Sequence, residues 1–206
     1  MTTNTSLPFS VRLDASSLDT LFLEARTQNK WLPQPVPEAL LRELYGLARM
    51  APTMGNGQPM RLVFIRTPEA KARLAPLLSP GNVDKTNAAP VTAIVAHDLT
   101  FYEQLPTLMP QAAGFRDRFA AMPATSIEQM AFQGSSMQGA YLIIAARSLG
   151  LDCGPMGGFD HAGVDREFLA GTEWRSNFLL NLGYGDPAGV FPRNPRLTFD
   201  DACRIV

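Results

Sequence analysis

Residues 38–65 read EALLRELYGLARMAPTMGNGQPMRLVFI, and the change of rhythm inside this stretch sets the kind of fold. In its first part Leu40, Leu41, Leu44, Leu47 and Ala48 fall on one face of a helix, and Pro37 suits a first helical turn. In RLVFI the apolar residues run on without a helical gap, as in a short buried strand. Between the two lies PTMGNGQP, residues 52–59, with two Gly, two Pro, an Asn and a Gln. It contains no acid, no base and no usual nucleophile. Such a loop is either a simple connector or the lining of a flat, polar-edged ligand that is met by amides rather than charges.

The same alternation extends in both directions. Upstream, DASSLDTLFLEA (14–25) places Leu18, Leu21 and Phe22 at helical spacing, with Asp14 or Ser16 as cap. Downstream, residues 69–78 read as a helix, SPGNVDKTNAAP as a loop and VTAIVAH as a second strand. Pro106, Pro110 and Gly114 break residues 100–122 into short pieces, read as a helical excursion. Residues 125–150 run as one long helix, with Thr125 or Ser126 as cap and Gly150 as its end signal. Gly134, Ser135, Ser136, Gly139 and Ala140 crowd its centre. A glycine in a helix costs about 1 kcal/mol against alanine, so this cluster predicts close approach of another helix or of a planar ligand. NFLLNLGYG near the end is a third strand, and the Pro-broken tail from Val190 is expected to run along a partner element. Helices and strands alternate without a βαβ repeat, which argues an α+β fold.

Composition narrows the function. The 206 residues suit a single domain spanning 1–206, with residues 1–13 expected to be flexible. A net charge of −1 gives no support to nucleic acid or an anionic membrane as partner. The N-terminus lacks a basic segment followed by an apolar one, so no signal peptide is expected, and AYLIIAA, the longest apolar run, is too short to span a bilayer. Only Cys153 and Cys203 are present, which fits a reducing, cytoplasmic setting. His97 and His161 lack the spacing of a metal motif, so no metal is expected.

Familiar catalytic motifs are missing. GSSMQG is not G-x-S-x-G, and GLDCGPMGG is not G-x-G-x-x-G and follows a helix rather than a strand. Cys153 reads as a small buried residue; His161, after Asp160, is either an acid or a solvated loop residue. What remains is cations among amides and glycines. If RTQNKW is extended, Arg26, Gln28 and Lys30 share a face that could grip an anion or a polar ring edge; otherwise they decorate a helix end. Asn82 and Lys85 sit three apart before a strand. Gly157 and Gly158 in GPMGGF offer unhindered N–H groups or simply a tight turn, and Arg193 and Arg196 could hold a phosphate or lie on the surface.

Taken in order, these elements resemble the FMN-dependent nitroreductase family: R-x-Q-x-K, then PTMGNGQP before a strand, N-x-x-K before APVTAIV, a long helix ending LGLDCGPMGGFD, LNLGYGD and a late Arg pair. The resemblance runs from about residue 18 to 203. GNVDKTNAAPVTAIVAHD, SSMQGAYLI and GPMGGFD look most like the small branch that contains malonic semialdehyde reductases, also called 3-hydroxypropionic acid dehydrogenases. The resemblance implies a mostly antiparallel central sheet wrapped by helices, in an intertwined homodimer with FMN at its interface. It further implies NADH or NADPH as reductant and a small 3-oxo acid as acceptor. The alternatives are a nitro- or quinone reductase and, from another class, a non-catalytic flavin-binding protein. By the same resemblance Pro52, Thr53, Met54 and Asn56 reach the flavin of the other subunit. Arg26 and Gln28 meet phosphate and ribityl, Lys30, Asn82 and Lys85 the pyrimidine edge, the 155–158 backbone (Pro155, Met156, Gly157, Gly158) N5 and O4, and Arg193 and Arg196 the phosphate. Gly157 stands where several family members carry Glu, which leaves that face more open.

Overall fold

The computed structural model of the chain describes residues 12–112 and 114–206. The expectation for residues 1–13 therefore falls, up to residue 11, outside the described part.

Asp14 caps the first helix, accepting the Ser17 N–H, and α1 (Ala15–Leu18) continues as a wider turn through Leu23. The amphipathic stretch forms α2 (Glu38–Ala48), burying Leu41, Leu44 and Ala48. After the glycine loop come β1 (Met60–Ile65), α3 (Pro68–Leu74), α4 (Pro80–Ala88) and β2 (Val91–Asp98). The excursion holds α5 (Leu105–Leu108) and α6 (Phe115–Ala120), and α7 (Ala124–Ser148) follows without a break. The chain ends with β3 (Asp152–Met156), α8 (His161–Phe168), β4 (Trp174–Gly183) and α9 (Phe199–Ala202).

The four strands form one antiparallel sheet in the order β1-β2-β4-β3. Helices cover both of its faces. On one side, α2 and α7 bring Leu44, Ala48, Leu142 and Ala146 onto Val91, Ala93, Val95, Leu180 and Leu182. On the other, α3 and α8 bring Leu74 and Val164 onto Ile65, Ile94 and Leu179. With no solvated face, β2 is buried at every position, which is why it reads as an apolar run rather than an alternation. The excursion has its own small core of Phe101, Leu105, Phe119, Ile127 and Ala131.

Four sequence expectations are corrected. SPGNVDKTNAAP is not a loop but holds α4. GLDCGPMGG contains a strand, β3, in addition to the strand expected at 177–185, which itself begins earlier, at Trp174. The long helix starts from Pro123 with no side-chain cap, although Gly150, at φ +75°, does end it. Of the small residues of α7, Gly134, Ser135 and Gly139 meet the sheet and the segment leading into it rather than another helix or a ligand, while Ala140 is exposed. A Cβ on Gly139 would lie 2.7 Å from the Phe178 ring and one on Gly134 2.7 Å from Pro59, while Ser135 donates to the Ala96 carbonyl.

Candidate functional site

Residues 26–32 are not a helix end but run beside the sheet, with a bend at Asn29 and Lys30 between two isolated bridges. Thr27 bridges Cys153 in β3, Trp31 bridges Gly185, and the Leu32 N–H donates to the Tyr184 carbonyl. The alternate side chains all meet the segment that follows β4. Gln28 packs on Gly185, Lys30 on Gly189, and Arg26 donates to the Phe191 carbonyl.

At one end of this ledge Arg26, Arg193 and Arg196 line a groove of about 780 Å³, with Phe22, Leu23 and Phe191 among its apolar walls. Arg147, from the last turn of α7, joins them; sequence reasoning passed it over because a lone Arg near a helix end carries no signal of its own. Arg193 donates to the carbonyls of Leu23 and Ala25, Arg147 to Leu21, and Arg196 to Asn194 and Pro195. None of the four pairs with a carboxylate among the described residues. Uncompensated guanidinium groups so close together form a natural receptor for a multiply charged anion.

Further along the ledge, α4 supplies Asn82 and Lys85. Asn82 Nδ2 donates to the Gly158 carbonyl at 2.8 Å, and Ser79 N–H donates to the same oxygen. The Trp31 indole donates to the Lys85 carbonyl at 3.0 Å, and Asn181 Nδ2 approaches that oxygen too. Trp31 and Asn181 are thus the unforeseen stitches that hold α4 beside the Lys30 segment. Pro155 and Gly157 are exposed, while the Met156 side chain is buried in the core, leaving only its backbone for a ligand. The N–H groups of Gly157 and Gly158 find no acceptor among the described residues. A Cβ on Gly157 would meet nothing within 4 Å, whereas one on Gly158 would run into Asn82 and Ser79.

Gln28 is 6 % exposed, and its Oε1 has no hydrogen-bond partner among the described residues. An amide oxygen left unsatisfied in the interior costs about 1–3 kcal/mol, so this atom marks a place where a donor is wanted. Cys153 is inert by contrast: burial pushes its thiol up to about 12. His161 is exposed at the start of α8, with its Nδ1 3.1 Å from the Ser176 hydroxyl.

The loop with Pro52, Thr53, Met54 and Asn56 lies elsewhere. It enters β1 at Met60, opposite His97 and hence at the Arg175 end of β4, while Cys153 pairs with Leu182 at the other end of β4. Three strand spacings separate the two edges, about 14 Å, and six residues along the strands add about 20 Å. Loop and ledge therefore sit at diagonal corners, on the order of 25 Å apart. Within one chain the proposed contacts form two groups, not one.

A sheet of this order, helices on both faces and a cationic, amide-rich ledge along its edge define the class. The chain belongs to the nitroreductase family, whose model matches residues 23–184. It is 60 % identical over 193 residues to a Burkholderia lata protein named "Putative NADH dehydrogenase/NAD(P)H nitroreductase", covering 94 % of this chain and 98 % of that one. A Stenotrophomonas maltophilia protein of the same name is 58 % identical over 195 residues, covering 94 % and 97 %. Among solved structures, "a putative nitroreductase in complex with FMN" from Exiguobacterium sibiricum superposes with a TM-score of 0.83 at 21 % identity, covering 96 % of this chain and all of that one. At that identity the likeness confirms the fold.

Proposed function

We propose that this protein is an FMN-dependent oxidoreductase that draws on NADH or NADPH and reduces a small organic acceptor, with two copies of the chain completing each site. The observation that carries the reading is the ledge itself. Four guanidinium groups with no carboxylate partner among the described residues stand at one end, and two lysines, an Asn and two glycine N–H groups at the other. The order suits an elongated ligand with a phosphate tail and a neutral, polar-edged ring. The FMN held by the Exiguobacterium sibiricum protein and the NAD(P)H in the relatives' names point the same way. The orphaned Gln28 Oε1 is an acceptor that the ribityl hydroxyls would satisfy.

In this reading Arg26, Arg193, Arg196 and Arg147 hold the phosphate. Lys30, Lys85 and Asn82 supply cations and an amide to the pyrimidine edge, and Gly157 and Gly158 supply backbone donors. Pro52, Thr53, Met54 and Asn56 come from the second copy, because their own chain holds them at the far corner of the sheet. Bound there, FMN would supply two-electron transfer from nicotinamide to acceptor, which is why the chain needs neither a nucleophile nor a metal.

For the acceptor, the first reading is a short 3-oxo acid such as malonic semialdehyde, giving 3-hydroxypropanoate. The bare, open Gly157 supports it, since no side chain there would repel a carboxylate. Nitro or quinone acceptors form the second reading, supported by apolar side chains clustered beside Met54. Gly157→Glu separates the two. Its backbone is not left-handed and its Cβ has room, so the variant is expected to fold and keep FMN. An unscreened like charge at about 4 Å costs on the order of 4 kcal/mol at an effective dielectric of 20, and solvent lowers this. We expect kcat/KM to fall for the acid and to hold for a quinone; equal losses with FMN intact would remove the acid reading. The flavin spectrum of the purified protein tests the cofactor, and NAD(P)H oxidation with added acceptor tests an enzyme against a mere flavin binder.

A further inference from the structure

Beside the glycine loop lies a pocket that the ledge does not use. It has a volume of about 300 Å³ and is lined by Met54, Phe115, Phe119, Met122, Met130 and one charged residue, Arg118. That volume is at the small end of the range for small-molecule sites. The pocket hangs on the loop itself: Asn56 Nδ2 donates to the Leu108 carbonyl, and a Cβ on Gly55 would touch Phe115 and Phe119.

Arg118 stands apart from its neighbours. Arg116 takes the local carboxylates, pairing with both oxygens of Glu103 and with Asp117. Among the described residues Arg118 has no ion pair and no side-chain hydrogen bond; its guanidinium lies 5.9 Å from the Phe115 ring centroid. A lone planar cation on an aromatic and methionine wall suits a ligand with an apolar body and one carboxylate.

We propose that this pocket seats the electron acceptor and that Arg118 selects an acceptor carrying a single carboxylate on a flat apolar body. The inference rests on the reading that the 52–56 loop reaches the cofactor. It also widens the acceptor class, because a three-carbon acid would leave most of the pocket empty.

The test compares 4-nitrobenzoate with its neutral counterpart 4-nitrobenzamide, on wild type, Arg118→Gln and Arg118→Lys. Loss of a charge-assisted contact is expected to raise KM for the benzoate roughly ten- to hundredfold. KM for the amide should change little, kcat should hold for both, and Arg118→Lys should recover part of the loss. Calorimetric titration of 4-nitrobenzoate into the protein without nicotinamide should show the same dependence on Arg118. If both compounds shift alike, or neither does, the proposal is wrong. It is also wrong if Arg118→Gln dissociates the dimer in light scattering, since the pocket would then house a side chain of the second copy. A wild-type protein that takes up no FMN yet binds the benzoate through Arg118 would overturn the cofactor reading and leave the pocket standing.

Discussion

At the scale of single residues, charge and burial assign different tasks to side chains that look alike in the sequence. Arg26 and Lys85 are both cations of the ledge, but the first stands among guanidinium groups and the second beside Asn82 and Trp31. In the proposed reading Arg26→Ala removes part of a phosphate receptor, where a charge-assisted contact is worth about 1.5–3 kcal/mol. Fluorescence titration should show FMN binding weakened roughly tenfold or more. Lys85→Ala should leave the affinity for oxidised FMN within a few-fold and instead lower the reduction potential of the bound cofactor. Equal affinity losses with an unchanged potential would contradict these assignments.

His97 is a second residue whose role is set by burial. It is 4 % exposed, neither ring nitrogen has a partner among the described residues, and its ring packs edge-on against Phe132. Burial lowers its pKa from the ordinary 6.5; the carboxylates of Glu128, Asp165 and Asp98 pull the other way and Arg175 adds to the lowering. The folded protein thus holds His97 neutral, while the unfolded chain takes up a proton as the pH drops through 6.5. Stability from this group is complete above that value and declines below it, towards the depressed folded pKa. The melting temperature should fall between pH 7 and pH 5, and His97→Leu should fall less steeply. Parallel curves for the two proteins would show that other groups set the acid limit.

Among the elements, α7 shows how a costly residue in a helix is repaid by packing. Gly134 and Gly139 let the helix lie close on Pro59 and on the Phe178 ring. Gly139→Ala would improve helix propensity by about 1 kcal/mol. Yet its Cβ would come within 2.7 Å of the ring, and overpacking of that kind costs about 1–3 kcal/mol. We expect a net loss of stability in denaturant titration, relieved in a double variant with Phe178→Leu. A stabilised Gly139→Ala would mean that the sheet yields. The elements that were misread have physical reasons as well. α4 carries Pro80 and Gly81 in its first turn and little apolar periodicity, so locally it resembles a turn. Its C-terminus is held from outside, where the Lys71 ammonium takes the carbonyls of Thr86, Asn87 and Ala89. β3 contains Gly154 and Pro155, which mark a loop in sequence but are tolerated on the edge of a sheet, where a missing N–H breaks no essential pairing.

At the scale of the whole molecule, the chain leaves much apolar surface uncovered. Phe132, Met137 and Tyr141 are exposed on α7, and Phe191, Leu197, Phe199 and Ile205 lie exposed along the C-terminal tail. Large apolar side chains left exposed in this number point to an interface. With the loop and ledge at opposite corners, it supports a homodimer that buries upwards of roughly 2,000 Å². Light scattering should report a dimer that loses FMN when it dissociates; a stable FMN-loaded monomer would refute this. The sequence by itself determined what local spacing encodes: the amphipathic α2, the apolar runs of β1 and β2, the span of α7, and the residue types that mark the family. Only tertiary structure decided which of those residues meet. It gathered Arg147 into the arginine groove, used Trp31 and Asn181 to fasten α4, and set Pro52–Asn56 far from Arg26–Lys30, because such contacts depend on strand order and register, which no single stretch of sequence carries.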